Sequence, residues 1–457
     1  MQPIDSESPG QAIPEAVIGE GQQASAQVKG LLRTFIALRH RNYRLFFFGQ
    51  MLSLIGTWMQ TTAQAWLVLE LTHSALLLGL VGVLQFLPLM VFSLFGGVLA
   101  DRVPKRTLLL VAQSVALVQA TILWLLVVTG TVHIWHILLL AALLGLTQAL
   151  DTPTRQAFVG EMVGREDMPN AIALNSSLVN MARVLGPALG GLLIAWLGVA
   201  PLFLLNAISF LAVIIGLVMI DQRTLYALPS RRTDDQKLST FQSLREGLFY
   251  VWHMPTVLLV IAVIGVIALF GINFNVMLPL FATDVFHAGP VGYGFISAAY
   301  GLGALFSALW VAWGNRKPSI RSLLIAAFAF SVLEIAFALS HFYILSFPLL
   351  AGVGFAQIVM TATANTTIQT VTPNSLRGRA ISVYLLVYAG GMPLGNLLAG
   401  GLTTLLGASI AFLIGGIPCF VAAIVGWILR KPAEKSLAVA LSCPIRHEGG
   451  QTVYKKR

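Results

Sequence analysis

The sequence predicts an all-α integral membrane protein of twelve transmembrane helices, divided into two groups of six. Three observations carry that expectation. Of the 457 residues, 57% are hydrophobic and only 10% are charged, too little polar surface for water to cover a globule of this size. Apolar runs of roughly 20 residues, the length a bilayer core demands, recur along the chain. The basic residues fall on alternate linkers.

The expected spans are residues 45–71, 75–100, 107–130, 133–151, 170–198, 201–220, 256–282, 291–313, 320–341, 344–368, 380–405 and 408–430. Sorting the linkers alternately to two sides puts 27 of the 28 Lys and Arg residues on one face; the exception is Arg183, inside a span. Basic linkers stay in the cytoplasm, so both termini are expected there and the number of spans must be even. A false span would move every later linker to the other side, so the charges check the count as well. The net charge of +10 is thereby explained as topology, and nucleic acid is not expected as a partner.

Residues 1–40 are polar and read as a disordered cytoplasmic tail, without the apolar core of a cleavable leader. The first bundle is expected over 41–220 and the second over 256–430. Between them, 221–255 is the longest internal polar stretch and holds Phe241, Leu244, Leu248 and Val251 at helical spacing, which suits a helix lying in the membrane interface. Residues 431–457 form a second cytoplasmic tail. The halves look like a diverged repeat: Arg106-Thr107-Leu108-Leu109 is echoed by Arg321-Ser322-Leu323-Leu324. Ala171-Ile172, Gly186 and Gly191 recur at one offset of 209 as Ala380-Ile381, Gly395 and Gly400.

Nothing points to covalent chemistry. There is no phosphate-binding loop, no metal-ligand spacing among the histidines and cysteines, and no cofactor signature, so the chain is not expected to be an enzyme.

Two motifs stand out. The first, Gly97-Val-Leu-Ala-Asp101-Arg102-Val-Pro-Lys105-Arg106, ends the second span. Gly97 permits close helix contact, Asp101 suits the positive end of a helix dipole, and the basic residues can pair with carboxylates across the loop. The second, Arg183-Val-Leu-Gly186-Pro187-Ala-Leu-Gly190-Gly191, lies in the fifth span, where proline removes a helix hydrogen bond and the glycines thin the helix.

The first motif resembles the loop signature of the major facilitator superfamily, with Pro104 where that signature has its second glycine. The second resembles the end of the signature of proton-coupled antiporters in the same superfamily. Leu38-Arg-His-Arg-Asn-Tyr-Arg, Gly56-Thr-Trp-Met-Gln60, Asp151-Thr-Pro-Thr-Arg155 and Leu376-Arg-Gly-Arg379 are similar to the branch containing the enterobactin exporter and macrolide-efflux proteins.

The resemblance implies two six-helix bundles around a central cavity in a bacterial inner membrane, and outward transport of drugs or siderophores by proton antiport and alternating access. It also implies a latch on the cytoplasmic side, formed by Gly97, Asp101, Arg102, Lys105 and Arg106 with an acid at the end of the fourth span, here Asp151. A lipid or lysophospholipid transporter and a non-transporting sensor are the alternatives. The expected partners are a small molecule, protons and membrane lipids, and a monomer suffices.

Polar groups in spans are costly unless they face protein or water. Trp58, Gln60, Gln64, Gln85, Gln148, Arg183, Asn273, Asn275, Gln357, Tyr384 and Tyr388 are therefore the expected cavity lining, with Arg183 facing either an anionic substrate group or a fixed carboxylate. Glu334, the only acid well inside a span, joins Asp101 and Asp151 as a candidate proton carrier.

Overall fold

A computed structural model describes residues 35–226, 240–313 and 319–442, with backbone only at 93–98, 100–102, 240–244, 312–313, 374–375 and 440–442. The helices are α1 (Arg41–Thr72), α2 (Ala75–Arg102), α3 (Lys105–Val128) and a 64-residue run, Ile134–Leu197, followed by Ala200–Val218. At 1.5 Å per residue that run would reach about 96 Å, three times a bilayer core. Gly164 interrupts it with φ 74° and ψ −177°, a conformation that disfavours any side chain. Its limbs, residues 134–163 and 165–197, are α4 and α5, and Ala200–Val218 is α6.

The limbs run in opposite directions. Gly145 packs on the Gln85 carbonyl and Lys105 pairs with Glu161, so α4 runs alongside α2 in the same sense. Tyr43 donates to the Ala171 carbonyl and Gly186 packs on Trp58, so α5 runs parallel to α1. The chain reverses between α1 and α2 at His73, whose φ is 47°.

The second half begins after the linker helix α7 (Thr240–His253). It comprises α8 (Pro255–Phe270) and α9 (Phe274–Asp284), which are two pieces of one span, then α10 (Gly289–Trp313), α11 (Ile320–Leu339), α12 (Tyr343–Val371), α13 (Asn374–Leu406) and α14 (Ala408–Ile428). Helix α15 (Arg430–Ser442) follows. Ten helical stretches are long and apolar enough to cross a membrane. Dividing the long run at Gly164 and counting α1, whose polar residues lower its hydropathy, gives twelve spans among the described residues.

The repeat is visible in the backbone. His73 and His287 are the non-glycine residues of positive φ among those described, both at 47°, and each turns the chain after the first span of its half. Gly198 and Gly407, at the same 209-residue offset, close α5 and α13 with φ of 77° and 83°.

Several boundaries differ from expectation. Residues 152–163, expected in a linker, continue α4: they face other helices, so polar residues are tolerated where hydropathy alone reads a loop. The seventh span is broken at Gly271–Asn273. Residues 35–40 are not a loose tail. Ala37 is fully buried, its N–H donates to Asn170 Oδ1 at 3.0 Å, and Arg39 and His40 both reach Asp167, at 2.9 and 2.7 Å. Residues 1–34 and 443–457 lie outside the described residues. So do linker residues 227–239, but α7 sits on α13, with Gly247 against the Arg379 carbonyl and Glu246 paired with Arg379. Its Phe249 and Trp252 are exposed, consistent with a helix at a membrane surface. In α15, Glu434 meets Arg321 at 2.8 Å, and that hydrogen bond, ahead of the Arg321 and Arg430 charges, holds its carboxyl below the usual range.

Candidate functional site

Two seams of small residues join the halves. At one, Gly191 of α5 meets Gly294 of α10: a Cβ on Gly191 would lie 2.5 Å from the Pro290 carbonyl and 2.7 Å from Gly294 Cα. At the other, Gly79 of α2 meets Gly400 of α13, where a Cβ on Gly79 would lie 2.5 Å from the Asn396 carbonyl and 3.3 Å from Gly400 Cα. The seams are related by the repeat, since Gly191 and Gly400 are 209 residues apart and Gly79 and Gly294 are 215 apart. Both lie toward the face without basic linkers. Without side chains the backbones approach closely, and dispersion contacts hold the halves together there.

Toward the basic face the same helices part. The α5 surface that carries Val184 and Gly191 continues at helical spacing through Ser177 and Ala173, both exposed. Their repeat equivalents on α13, Leu386 and Ser382, are exposed too. The halves are therefore closed on one face and open toward the basic one.

Between them lies a cavity of about 340 Å³ that opens to solvent. Sites for drug-sized molecules run to roughly 300–1,000 Å³, so it can hold one. Of the expected lining, Trp58, Gln85, Gln148, Arg183, Asn275, Gln357 and Tyr388 face it. Gln60, Gln64, Asn273 and Tyr384 do not. Gln60 instead ties the first bundle together, donating to Gln119 Oε1 at 3.1 Å and accepting from Asn206 at 2.7 Å. Gln60→Leu strands both partners, and about 1–3 kcal/mol of stability should go with each. A lower melting temperature with unchanged transport per folded molecule is the expected result; a changed substrate preference would contradict this placement.

Sequence reasoning missed Gln50, Thr57, Thr61, Gln113, Tyr300 and Met392, all on the wall. Residues 50, 53, 57 and 61 form a polar stripe at helical spacing, a signal that could have found them; Gln64 shares that phase and still does not line the cavity.

Arg183 lies over the Trp58 ring, its guanidinium carbon 5.5 Å from the centroid. No carboxylate among the described residues pairs with it, and its buried Nε has no hydrogen-bond partner. Gln50 Oε1 and Gln113 Oε1 are likewise buried and unpartnered. Across the cavity Tyr300 donates to Gln357, and Tyr388 stacks on Tyr384 with centroids 6.1 Å apart.

Asp151, expected to meet the loop's basic residues, instead lines the cavity. Its Oδ1 accepts from Gln113 Nε2 at 2.8 Å and its Oδ2 lies 3.6 Å from Arg155 Nε. Lys105 pairs with Glu161 at 2.6 Å. Arg106 caps α6, donating to the Leu217 and Val218 carbonyls at 2.7 and 2.8 Å, where a cation suits the helix dipole. Lys105 and Arg106 thus bind within one half in this structure, where the halves stand apart on the basic face. The side chains of Asp101 and Arg102, with Gly97, lie outside the described residues. Gly186 and Gly190 of the second motif pack on Trp58 and Thr62 of α1, while Gly191 faces α10; Pro187 lines the cavity. Glu334 is buried away from it, on α11.

Comparison with known proteins agrees with this architecture. A family model described as transmembrane secretion effector matches residues 32–453. The multidrug efflux pump Tap of Mycolicibacterium fortuitum is 28% identical over 406 residues, covering 86% of this chain and 97% of that protein. The staphyloferrin A transporter of Staphylococcus aureus is 23% identical, covering 86% and 98%. The enterobactin exporter EntS of Shigella boydii is 27% identical, covering 81% and 88%. Among solved structures, a bacterial homologue of the human lysosomal transporter Spinster, inward-facing and unoccupied, superposes with a TM-score of 0.66 at 15% identity, covering 88% and 98%. The nucleoside transporter NupG does so at 0.69 and 12%, covering 85% and 99%. At such identities these two speak for the fold.

Proposed function

Because the chain belongs to the transmembrane secretion effector family, we propose that it exports small amphiphilic molecules, drugs or siderophores, from a bacterial cytoplasm by alternating access. The carrying observation is the cavity: it lies between the halves, is sealed on one face and open on the other, and pairs aromatic walls with unpartnered polar groups. Multidrug and siderophore transport are the stated functions of the relatives, and an open central cavity is what such cargo requires.

Basic linkers mark the cytoplasmic side, so the open state described here receives cargo from inside, with both termini there. Two six-helix halves complete the pathway, so the working unit is a monomer in the inner membrane. Energy comes from protons entering against the cargo. Asp151 is the carrier we assign, as the acid on the cavity wall. Protonation would discharge its pairing with Arg155 and so change the electrostatics of the wall that cargo touches.

Arg183 selects cargo with an anionic or strongly accepting group, because its charge is not neutralised by a neighbouring carboxylate. A charge-assisted hydrogen bond is worth roughly 1.5–3 kcal/mol, or about 10- to 100-fold in affinity. Arg183→Gln should lose that much for a carboxylate or catecholate substrate and little for a neutral one, and Arg183→Lys should recover part of it. Binding of a substrate panel to purified protein is the test. Equal losses for charged and neutral substrates would refute the assignment.

A further inference from the structure

A second pocket lies on the other side of the broken seventh span. Ile272, Phe274 and Asn275 face the main cavity, whereas Gly271 and Asn273 face a separate space of about 20 Å³, the size of one small ion or water, that shares no lining residue with it. Glu334 of α11 and Asn273 both line this space and are 1% and 4% exposed.

Two atoms there are buried without a hydrogen-bond partner: Glu334 Oε2 and Asn273 Oδ1. The Asn273 amide is oriented by its own helix, because Nδ2 donates to the Leu269 and Phe270 carbonyls at 3.0 and 3.3 Å. Its oxygen is thereby left to the pocket. Both unsatisfied atoms are acceptors, and no Lys, Arg or His lines the space. What the site lacks is positive charge. A bare carboxylate in such surroundings is prohibitively costly. The C-terminal end of α8, with its partial negative charge, adds to the demand, and an unwound segment in mid-membrane is a form in which transporters hold ions.

We propose that Glu334 and Asn273, with the break at Gly271–Asn273, form a binding site for one small monovalent cation, H⁺ or Na⁺. The site touches the helices that must move. Asn273 lies against Gly395 of α13, and the Phe270 carbonyl lies against Gly415 of α14. An ion held there braces the broken span against α11, α13 and α14 and stiffens the second half. The inference concerns binding, and it stands or falls independently of the export reading.

The test uses the full-length protein in nanodiscs, without substrate. Melting temperature is followed against NaCl with choline chloride as the ionic-strength control. Infrared difference spectra between acidic and alkaline pH then report on a buried carboxyl. A sodium site predicts a saturable rise in melting temperature with NaCl alone, abolished in Glu334→Gln and needing about tenfold more sodium in Asn273→Ala. A proton site predicts no sodium effect but a carboxyl band that titrates and is missing in Glu334→Gln. If Glu334→Gln does not fold, Asn273→Asp serves instead. The added carboxylate should tighten sodium by about tenfold, or contribute a second, coupled carboxyl band. Absence of both the sodium effect and a titrating band that these substitutions alter would overturn the proposal.

Discussion

Leucine at Gly191 together with leucine at Gly79 should leave a folded protein in the membrane that exports almost nothing. A Cβ alone at either position meets backbone at 2.5 Å, and neither the Pro290 nor the Asn396 carbonyl can rotate away as a side chain would. Overpacking of this kind costs about 1–3 kcal/mol per site. Under alternating access the seams would be closed only when the cavity faces the basic side, so the cost would fall on that state and not on its opposite. Two such penalties shift the balance between the states by roughly a hundredfold or more. Cysteine labelling from each side of the membrane reads the shift: cavity positions such as Thr62 and Ser297 should become reactive from the face without basic linkers. Normal export by the double variant would mean that the seams do not close in the working cycle.

Asp151→Asn should abolish export driven by a pH gradient while sparing substrate exchange at equilibrium. Among the described residues Asp151 is the acid on the cavity wall. Asparagine mimics its protonated form, can still hydrogen-bond with Gln113, and no longer pairs with Arg155. A carrier locked in that form moves cargo down its own gradient and gains nothing from protons. The rate in the presence of a gradient should therefore fall to the rate with a protonophore. If the variant still pumps uphill, the coupling proton binds elsewhere, and Glu334 becomes the next group to replace.

How much of this was legible beforehand depended on the physical signal each feature leaves. The span count was readable because lipid imposes length and polarity on every span, and charge placement then checks the count. The repeat was readable at Gly186, Gly191, Gly395 and Gly400 because a close helix contact tolerates few residue types. The extension of α4 through residues 152–163 was not readable, since a helix facing protein need not be apolar. The break at Gly271–Asn273 was hidden inside a continuous apolar run.

In the cavity, residue type alone chose equally among Gln60, Gln64 and Gln85, and only the last faces the space. Helical phase would have admitted Gln50, Thr57 and Thr61, but it would not have removed Gln64, which lies seven residues from Thr57 on the same face. Asp151 shows the opposite limit. Its sequence neighbourhood suggests a loop partner, but Lys105 finds Glu161 ten residues further along α4, which leaves Asp151 to Gln113, Arg155 and the cavity. Nothing in one sequence distinguishes those two acids.

The most direct test of energised export uses inside-out membrane vesicles, whose interior corresponds to the outside of the cell. With the lumen made acidic, vesicles containing this protein should accumulate an anionic siderophore or drug above its external concentration. A protonophore or Asp151→Asn should remove that accumulation. Accumulation that is absent, or that persists unchanged when the gradient is collapsed, would contradict proton-driven export through this cavity.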